Sequence, residues 1–196
     1  TVMEDPVESI QILRQPEKTE YYPFEESVDL CGMKAQIVYR NGKNLTVEVS
    51  EHTDSHIVPD TAGYGGKLTS SLDSSKKVSI SYIGYTEELT SCKKRGFTAE
   101  DSISLTEGEE KQTGLSEGPT YQIFSFTPSE SAAYQFSWAA AIVGNWSIAR
   151  LYNAANSELV YAYSGNNGLN YEMVGGRIYY IALINDSKSK QDIIYS

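Results

Sequence analysis

Histidine and cysteine are nearly missing from this 196-residue chain: His52 and His56, Cys31 and Cys92 are all there are. That scarcity removes whole classes of chemistry. A four-cysteine zinc site has too few thiols to form, and no Cys-x-x-Cys occurs. Nucleophilic catalysis needs a base beside a Ser or Cys, yet both histidines fall in one polar connection and no Gly-x-Ser-x-Gly elbow exists. As metal ligands four residues apart they would need a helix, and Glu51-His52-Thr53-Asp54-Ser55-His56 lacks a helical pattern. No catalysis, no cofactor and no metal are therefore expected.

Basic residues are also few. The formal net charge is -10, with 11 Lys and Arg against 17 Asp and Glu in residues 1–101, and 5 against 9 in residues 102–196. Neither half has the basic stripe that a nucleic acid or an anionic membrane requires, so no nucleic-acid partner is expected. No apolar run reaches the roughly eighteen residues of a membrane span. The chain opens at Thr1 without a basic-then-apolar leader. It reads as an excised or processed portion, with any export signal outside it.

Two runs imitate functional loops. Gly63-Tyr64-Gly65-Gly66-Lys67 lacks the first glycine of a phosphate loop, and Leu68 stands where Ser or Thr should hold magnesium. A turn is expected there. Glu100-Asp101 and Glu107-Gly108-Glu109-Glu110 lack the Asp-x-Asp-x-Asp-Gly order of a calcium loop and read as a solvated face. Three glycosylation sequons, at Asn44, Asn145 and Asn185, read as coincidence.

What is present is short-range alternation. The chain is 40% hydrophobic, has 15 Tyr, and shows no long 3.6-residue apolar repeat. Short alternating runs separated by Gly, Asn, Ser and Asp predict an all-β protein. Residues 1–9 read as a lead-in and Ile10-Gln11-Ile12-Leu13 as a first strand. Met33, Ala35, Ile37 and Tyr39 form one apolar row, and Leu45, Val47 and Val49 form another. A two-residue turn at Asn41-Gly42 would set Ile37 against Thr46 and waste that face. A three-residue loop, Arg40-Asn41-Gly42 with Gly42 left-handed, pairs Ile37 with Leu45 and Ala35 with Val47. The second register is expected.

Residues 50–66 read as a long connection with one short edge strand near His56-Ile57-Val58. A strand at 77–82 turns at Gly84 and returns as a last strand from Tyr85 to Cys92. Cys31 and Cys92 either form a bridge, worth about 4 kcal/mol for a loop of about 60 residues, or remain two thiols. Further strands are expected at 121–126, 133–138, 146–152, 159–163 and 177–183, with a glycine-rich turn at 114–118.

Pro16-x-Lys18-Thr19-x-Tyr21, Asp29-Leu30-x-Gly32, Tyr39-x-Asn41-Gly42 and Val78-x-Ile80-x-Tyr82-x-Gly84 follow one another in order. Together they resemble the bacterial immunoglobulin-like repeat of cell-surface proteins, over about residues 8–98. The chain departs from that pattern at Cys31 and at Lys93-Lys94-Arg95-Gly96. After a linker at 99–103, a second set spans about residues 103–186: Tyr121-x-x-Phe124-x-Phe126-x-Pro128, Ala133-Tyr134-x-Phe136, Leu151-Tyr152-Asn153 and Gly176-x-x-Tyr179-Tyr180. It resembles the jelly-roll-like pre-peptidase C-terminal sandwich found beside catalytic domains of secreted bacterial enzymes. The resemblances imply two tandem β-sandwiches, at 10–98 and 104–196. They also imply a secreted or cell-surface bacterial protein in which these modules serve as a spacer or adhesion scaffold beside other domains of a longer chain.

The aromatics carry the other functional expectations. Trp138, Trp146, Tyr152, Tyr161, Tyr163 and Tyr171 crowd the second half. Tyr161 and Tyr163 share one strand face and Val160 and Ala162 the other. With the valine face in the core, the tyrosines form a strip able to stack on a host or cell-wall glycan or a matrix protein. Tyrosines in the core are the more ordinary expectation. A third reading is an accessory region of a secreted hydrolase.

Overall fold

The computed structural model describes residues 7–59, 65–72, 78–115, 120–140, 147–163, 168–185 and 191–195. The described residues form strands and a single 3-10 turn, so the protein is all-β. Two compact units divide between Arg95 and Gly96.

The first unit carries β1 (Val7–Arg14), β2 (Glu20–Tyr21), β3 (Lys34–Tyr39), β4 (Asn44–Glu48), β5 (Ser55–Val58), β6 (Gly66–Ser71), β7 (Ser79–Tyr82), β8 (Tyr85–Glu88) and β9 (Lys93–Lys94). Strands β1-β3-β4 make one sheet, β5-β6-β7-β8 a second, and β2-β9 a parallel pair. Ala35, Ile37 and Val47 from the first sheet and Leu68, Ile80 and Tyr82 from the second are buried in one cluster. That is sandwich-like packing of two inward rows.

The opening hairpin takes the three-residue loop. Ile37 faces Leu45 and Ala35 faces Val47. Gly42 has φ +80°. The Gly42 N–H donates to the Tyr39 carbonyl at 2.9 Å, and the Tyr39 N–H donates to the Lys43 carbonyl at 2.9 Å. The Asn41 side chain accepts from the Lys43 N–H at 3.0 Å. Asparagine and glycine therefore do separate jobs, one bracing the turn and one supplying the left-handed backbone.

Other boundaries differ from expectation. The first strand starts at Val7, inside the segment read as a lead-in, because Val7 is itself fully buried in the core. The long connection contains β5, which pairs with β6, and Gly66 and Lys67 open that strand. Gly63 and Tyr64 lie outside the described residues. The return strand stops at Glu88 and never reaches Cys92, because the chain turns there, with the Cys92 N–H donating to the Leu89 carbonyl at 3.1 Å. Lys93 and Lys94 then pair in parallel with Glu20 and Tyr21. Glu20 lies 3.1 Å from Lys93 and 3.4 Å from Arg95, which explains how a basic run closes the unit.

The second unit opens with the 3-10 turn at Ala99–Asp101, in the segment read as a linker. It continues with β10 (Ile103–Ser104), β11 (Lys111–Leu115), β12 (Thr120–Phe126), β13 (Ala132–Ala140), β14 (Ser147–Asn153), β15 (Glu158–Tyr163), β16 (Gly168–Met173), β17 (Tyr179–Asn185) and β18 (Gln191–Tyr195). One sheet runs β10-β12-β17-β14-β15 and the other β11-β18-β13-β16. Phe124, Leu151, Ala162, Ile181 and Leu183 of the first bury against Phe136, Trp138, Leu169 and Met173 of the second. Gly114 and Leu115, the start of the turn expected at 114–118, instead end the strand Lys111–Leu115, ladder-bonded to β18, and residues 116–118 lie outside the described residues. β16 was missed altogether, although Leu169, Tyr171 and Met173 alternate with Asn170 and Glu172.

Central strand β17 is buried on both faces except at Ile184. The face turned away from the core is covered in part by Phe97, whose ring lies 4.9 Å from that of Tyr152 and 5.4 Å from that of Tyr180. The Phe97 N–H donates to Asn156 Oδ1 at 2.9 Å.

Candidate functional site

Strand alternation distributes the six aromatic candidates unequally. Trp138 and Tyr152 are buried, the first in the core and the second under Phe97. Burial and the nearby Glu158 carboxylate push the Tyr152 phenol up, so it stays neutral. Neither can stack on a ligand. Trp146 lies outside the described residues. Tyr171 is half-buried against the core edge.

Tyr161 and Tyr163 overturn the ordinary expectation: they are 53% and 49% exposed. Their rings meet edge to face, 5.5 Å apart at 84°. The reason is β15's register. Ala162 faces Ala149 and Val160 faces Leu151, so the small and branched residues take the core side. Tyrosine keeps its hydroxyl in water at little cost on the other side.

The tyrosines do not stand alone. The ladder sets Tyr163 opposite Ile148, Ile148 opposite Ile184, and Ile184 opposite Tyr121. Directly paired residues project from the same face of a sheet, so Tyr163, Ile148, Ile184 and Tyr121 make one row across four strands. At about 4.8 Å per strand the row spans about 14 Å. Tyr121 is 40% exposed, and both isoleucines are half-buried. Tyr161 sits beside this row, opposite Arg150. The Arg150 guanidinium is held 2.9 Å from Glu158, which also accepts from the Tyr152 hydroxyl at 3.2 Å. The result is a mostly apolar aromatic surface with one braced charge. Tyr121, Ile148 and Ile184 were not anticipated, because only the cross-strand register brings them together.

A cleft of about 500 Å³ opens near the far end of β15. Asn153, Ala154 and Ala155 form one wall, Leu159 and the Tyr171 and Tyr179 rings line its apolar part, and Glu172, Val174, Arg177 and Ile178 complete it. The wall is a tight loop: Asn153 Oδ1 accepts from the N–H groups of Ala155 and Ser157 at 2.9 and 3.1 Å, and Asn156 has φ +61°. The register slips between Leu151 and Tyr152, leaving Leu159 as the extra residue of a bulge. Bulges re-aim side chains, and Leu159 lines the cleft.

The two thiols are free, Cys31 partly exposed and Cys92 buried. They aim at different carbonyls, Ser50 and Lys18, each 3.7 Å away. Partial burial and the carboxylates of Glu17 and Asp29 push the Cys31 thiol up; burial does the same for Cys92. Both are poor nucleophiles.

His52 is highly exposed and joins Asp29, Nδ1 to Oδ2, at 2.7 Å. That hydrogen bond, then the charge of Asp29, raise the His52 pKa above its ordinary 6.5. Partial burial opposes ionisation of Asp29, but hydrogen bonds from His52 and the Cys31 N–H outweigh it and hold the carboxyl below its ordinary 3.8. A raised histidine stabilises the fold below its unfolded pKa and loses that effect as pH rises through the folded value. A lowered carboxylate loses its effect as pH falls. The pair therefore acts between about pH 4 and 6.5. Stability measured by urea unfolding should decline from pH 6 to 8 more in the native chain than in His52→Gln. Equal declines would show that the pair contributes nothing.

Among the described residues, no helix is long and apolar enough to cross a membrane. No family model, no curated protein and no solved structure matches this chain.

Proposed function

We propose that this chain comprises two non-catalytic β-sandwich modules of a secreted or cell-surface bacterial protein, the first immunoglobulin-like and the second of the pre-peptidase C-terminal kind. In this reading the first module is a spacer, and the second engages a host or cell-wall glycan or a matrix protein through its aromatic face. The observation that supports a binding role is the exposed Tyr161–Tyr163 pair beside the Tyr163-Ile148-Ile184-Tyr121 row. Exposed aromatics that continue into an apolar row favour stacking on a sugar ring or an extended peptide over mere solvation.

A glycan and matrix-protein array with the full chain tests this. Binding to at least one polymeric glycan or matrix protein is expected, reduced tenfold or more in Tyr161→Ala/Tyr163→Ala, since each lost stacking contact is worth about 1 kcal/mol. An array with no signal above an unrelated sandwich, or a signal indifferent to the double variant, leaves the spacer role alone standing.

A further inference from the structure

The cleft beside β15 has a lining that the aromatic face does not share. Its apolar part includes two aromatic rings, Tyr171 and Tyr179, with centroids 6.5 Å apart and planes inclined at 57°. The Tyr179 hydroxyl accepts from the Val174 N–H at 2.9 Å, which ties that ring to the turn closing the cleft. The turn is itself anchored. The Gly175 N–H donates to Ser131 Oγ at 3.0 Å and the Gly176 N–H to the Pro128 carbonyl at 2.8 Å. A Cβ on Gly175 would lie 2.8 Å from the Glu130 backbone, so only glycine lets the two segments approach this closely. The opposite wall is the Asn153 loop, held by its own side-chain hydrogen bonds. Both walls are therefore built before any ligand arrives.

Charge completes the picture. The second half has five cations. Arg150 is committed to Glu158. Arg177 lines the cleft, and among the described residues no carboxylate lies within ion-pair distance of it. Glu172 borders the cleft, but strand alternation turns its carboxylate to the face opposite the Tyr171 ring, so Arg177 is the charged group on offer to a ligand. A guanidinium offers only donors, and a hydroxyl can accept from it. The apolar C–H face of a pyranose suits the tyrosine rings, and about 500 Å³ falls within the ordinary range for small-molecule sites.

We infer that this cleft is a binding site for a pyranose, with Tyr171 as the stacking surface and Arg177 as the hydroxyl partner. The inference rests on the glycan reading above but uses none of its residues.

The test uses the full chain and methyl glucoside, methyl mannoside, methyl galactoside and N-acetylglucosamine, each followed by saturation-transfer NMR. Transfer to at least one is expected, lowered fivefold or more in both Tyr171→Ala and Arg177→Gln and unchanged in Leu13→Ala, a surface change in the first unit. Near-ultraviolet circular dichroism checks that each variant is folded, and Arg177→Gln, an exposed change, decides the matter if Tyr171→Ala is not. No transfer to any of the four, or transfer that survives Arg177→Gln, overturns the cleft assignment. The aromatic face is judged separately, on polymeric glycans with Tyr161→Ala/Tyr163→Ala. Polymer binding lost in that variant without any monosaccharide transfer removes the cleft and keeps the face. Monosaccharide transfer with polymer binding indifferent to that variant does the reverse.

Discussion

Deleting Gly42 is expected to cost the first unit about 3–6 kcal/mol, from two fully buried valines at about 1.5–3 kcal/mol each. Val47 and Val49 are 4% and 1% exposed. Both reach the core because the loop between β3 and β4 holds three residues with the third left-handed. Removing that residue leaves Arg40-Asn41, and a two-residue loop demands either positive φ at both positions or a one-residue slip. The slip turns Leu45, Val47 and Val49 to solvent and brings Thr46 and Glu48 inward. Gly42→Ala separates backbone strain from register. It keeps the loop length and is expected to cost only about 1–2 kcal/mol, the penalty of a left-handed residue with a Cβ; nothing lies within 4 Å of where that Cβ would be. Guanidinium unfolding of the native chain and both variants measures the difference. A deletion no worse than Gly42→Ala would mean that the rest of β4 sets the register without the loop.

The second large effect belongs to Phe97→Ala. It should cost the second unit about 3–5 kcal/mol, as large-to-small aromatic truncations do. Phe97 is 7% exposed and lies on Tyr152 and Tyr180, outside the main core. Truncation uncovers two aromatic rings of a sheet face and leaves the Glu158-bonded Tyr152 hydroxyl closer to water. Phe97→Leu keeps most of the apolar cover and should recover more than half of the loss. Asn156→Gly removes the acceptor for the Phe97 N–H without straining the left-handed backbone at φ +61° and should cost about 1 kcal/mol. If Phe97→Ala shifts stability by less than about 1 kcal/mol, the face of β14 and β17 is protected by other contacts and residue 97 is ornamental to the fold.

Where the sequence was legible, it was legible for local reasons. Apolar alternation with a fixed period marks strands without reference to partners, which is why β3, β4, β12, β13, β15 and β17 stood out. Strand β16 carried the same signal at Leu169, Tyr171 and Met173, with two polar residues between. Gly114 and Leu115 differ for another reason: the glycine suggested a turn, while pairing with β18 places both in a strand. Cys92 lies beyond the return strand because the chain turns after Glu88, and Thr90, Ser91 and Cys92 include no glycine or proline to mark that turn.

The candidate sites divide the same way. That Tyr161 and Tyr163 share a face follows from the period of two alone. That the face is outside was decided by Ala149 and Leu151, thirteen and nine residues upstream of the partners they meet in the ladder. The cleft was less legible still. Asn153, Leu159, Tyr171 and Arg177 come from separate loops and strands and meet only after β15 and β16 have formed. A bulge turns Leu159 inward, and the strand itself, with its two flanking tyrosines, looks regular when read as letters.

By itself, then, the amino-acid order determined the all-β class, the strand periods, the three-residue loop at 40–42 and the poverty of nucleophile–base pairs. These depend on residues within a few positions of one another, where backbone sterics and alternation act without help. Only the tertiary structure decided which tyrosines meet solvent, what covers β17, and that Arg177 and Glu172 border one cleft. Those outcomes depend on the cross-strand register and on which of two chemically acceptable faces wins burial, and burial is a property of the packed whole.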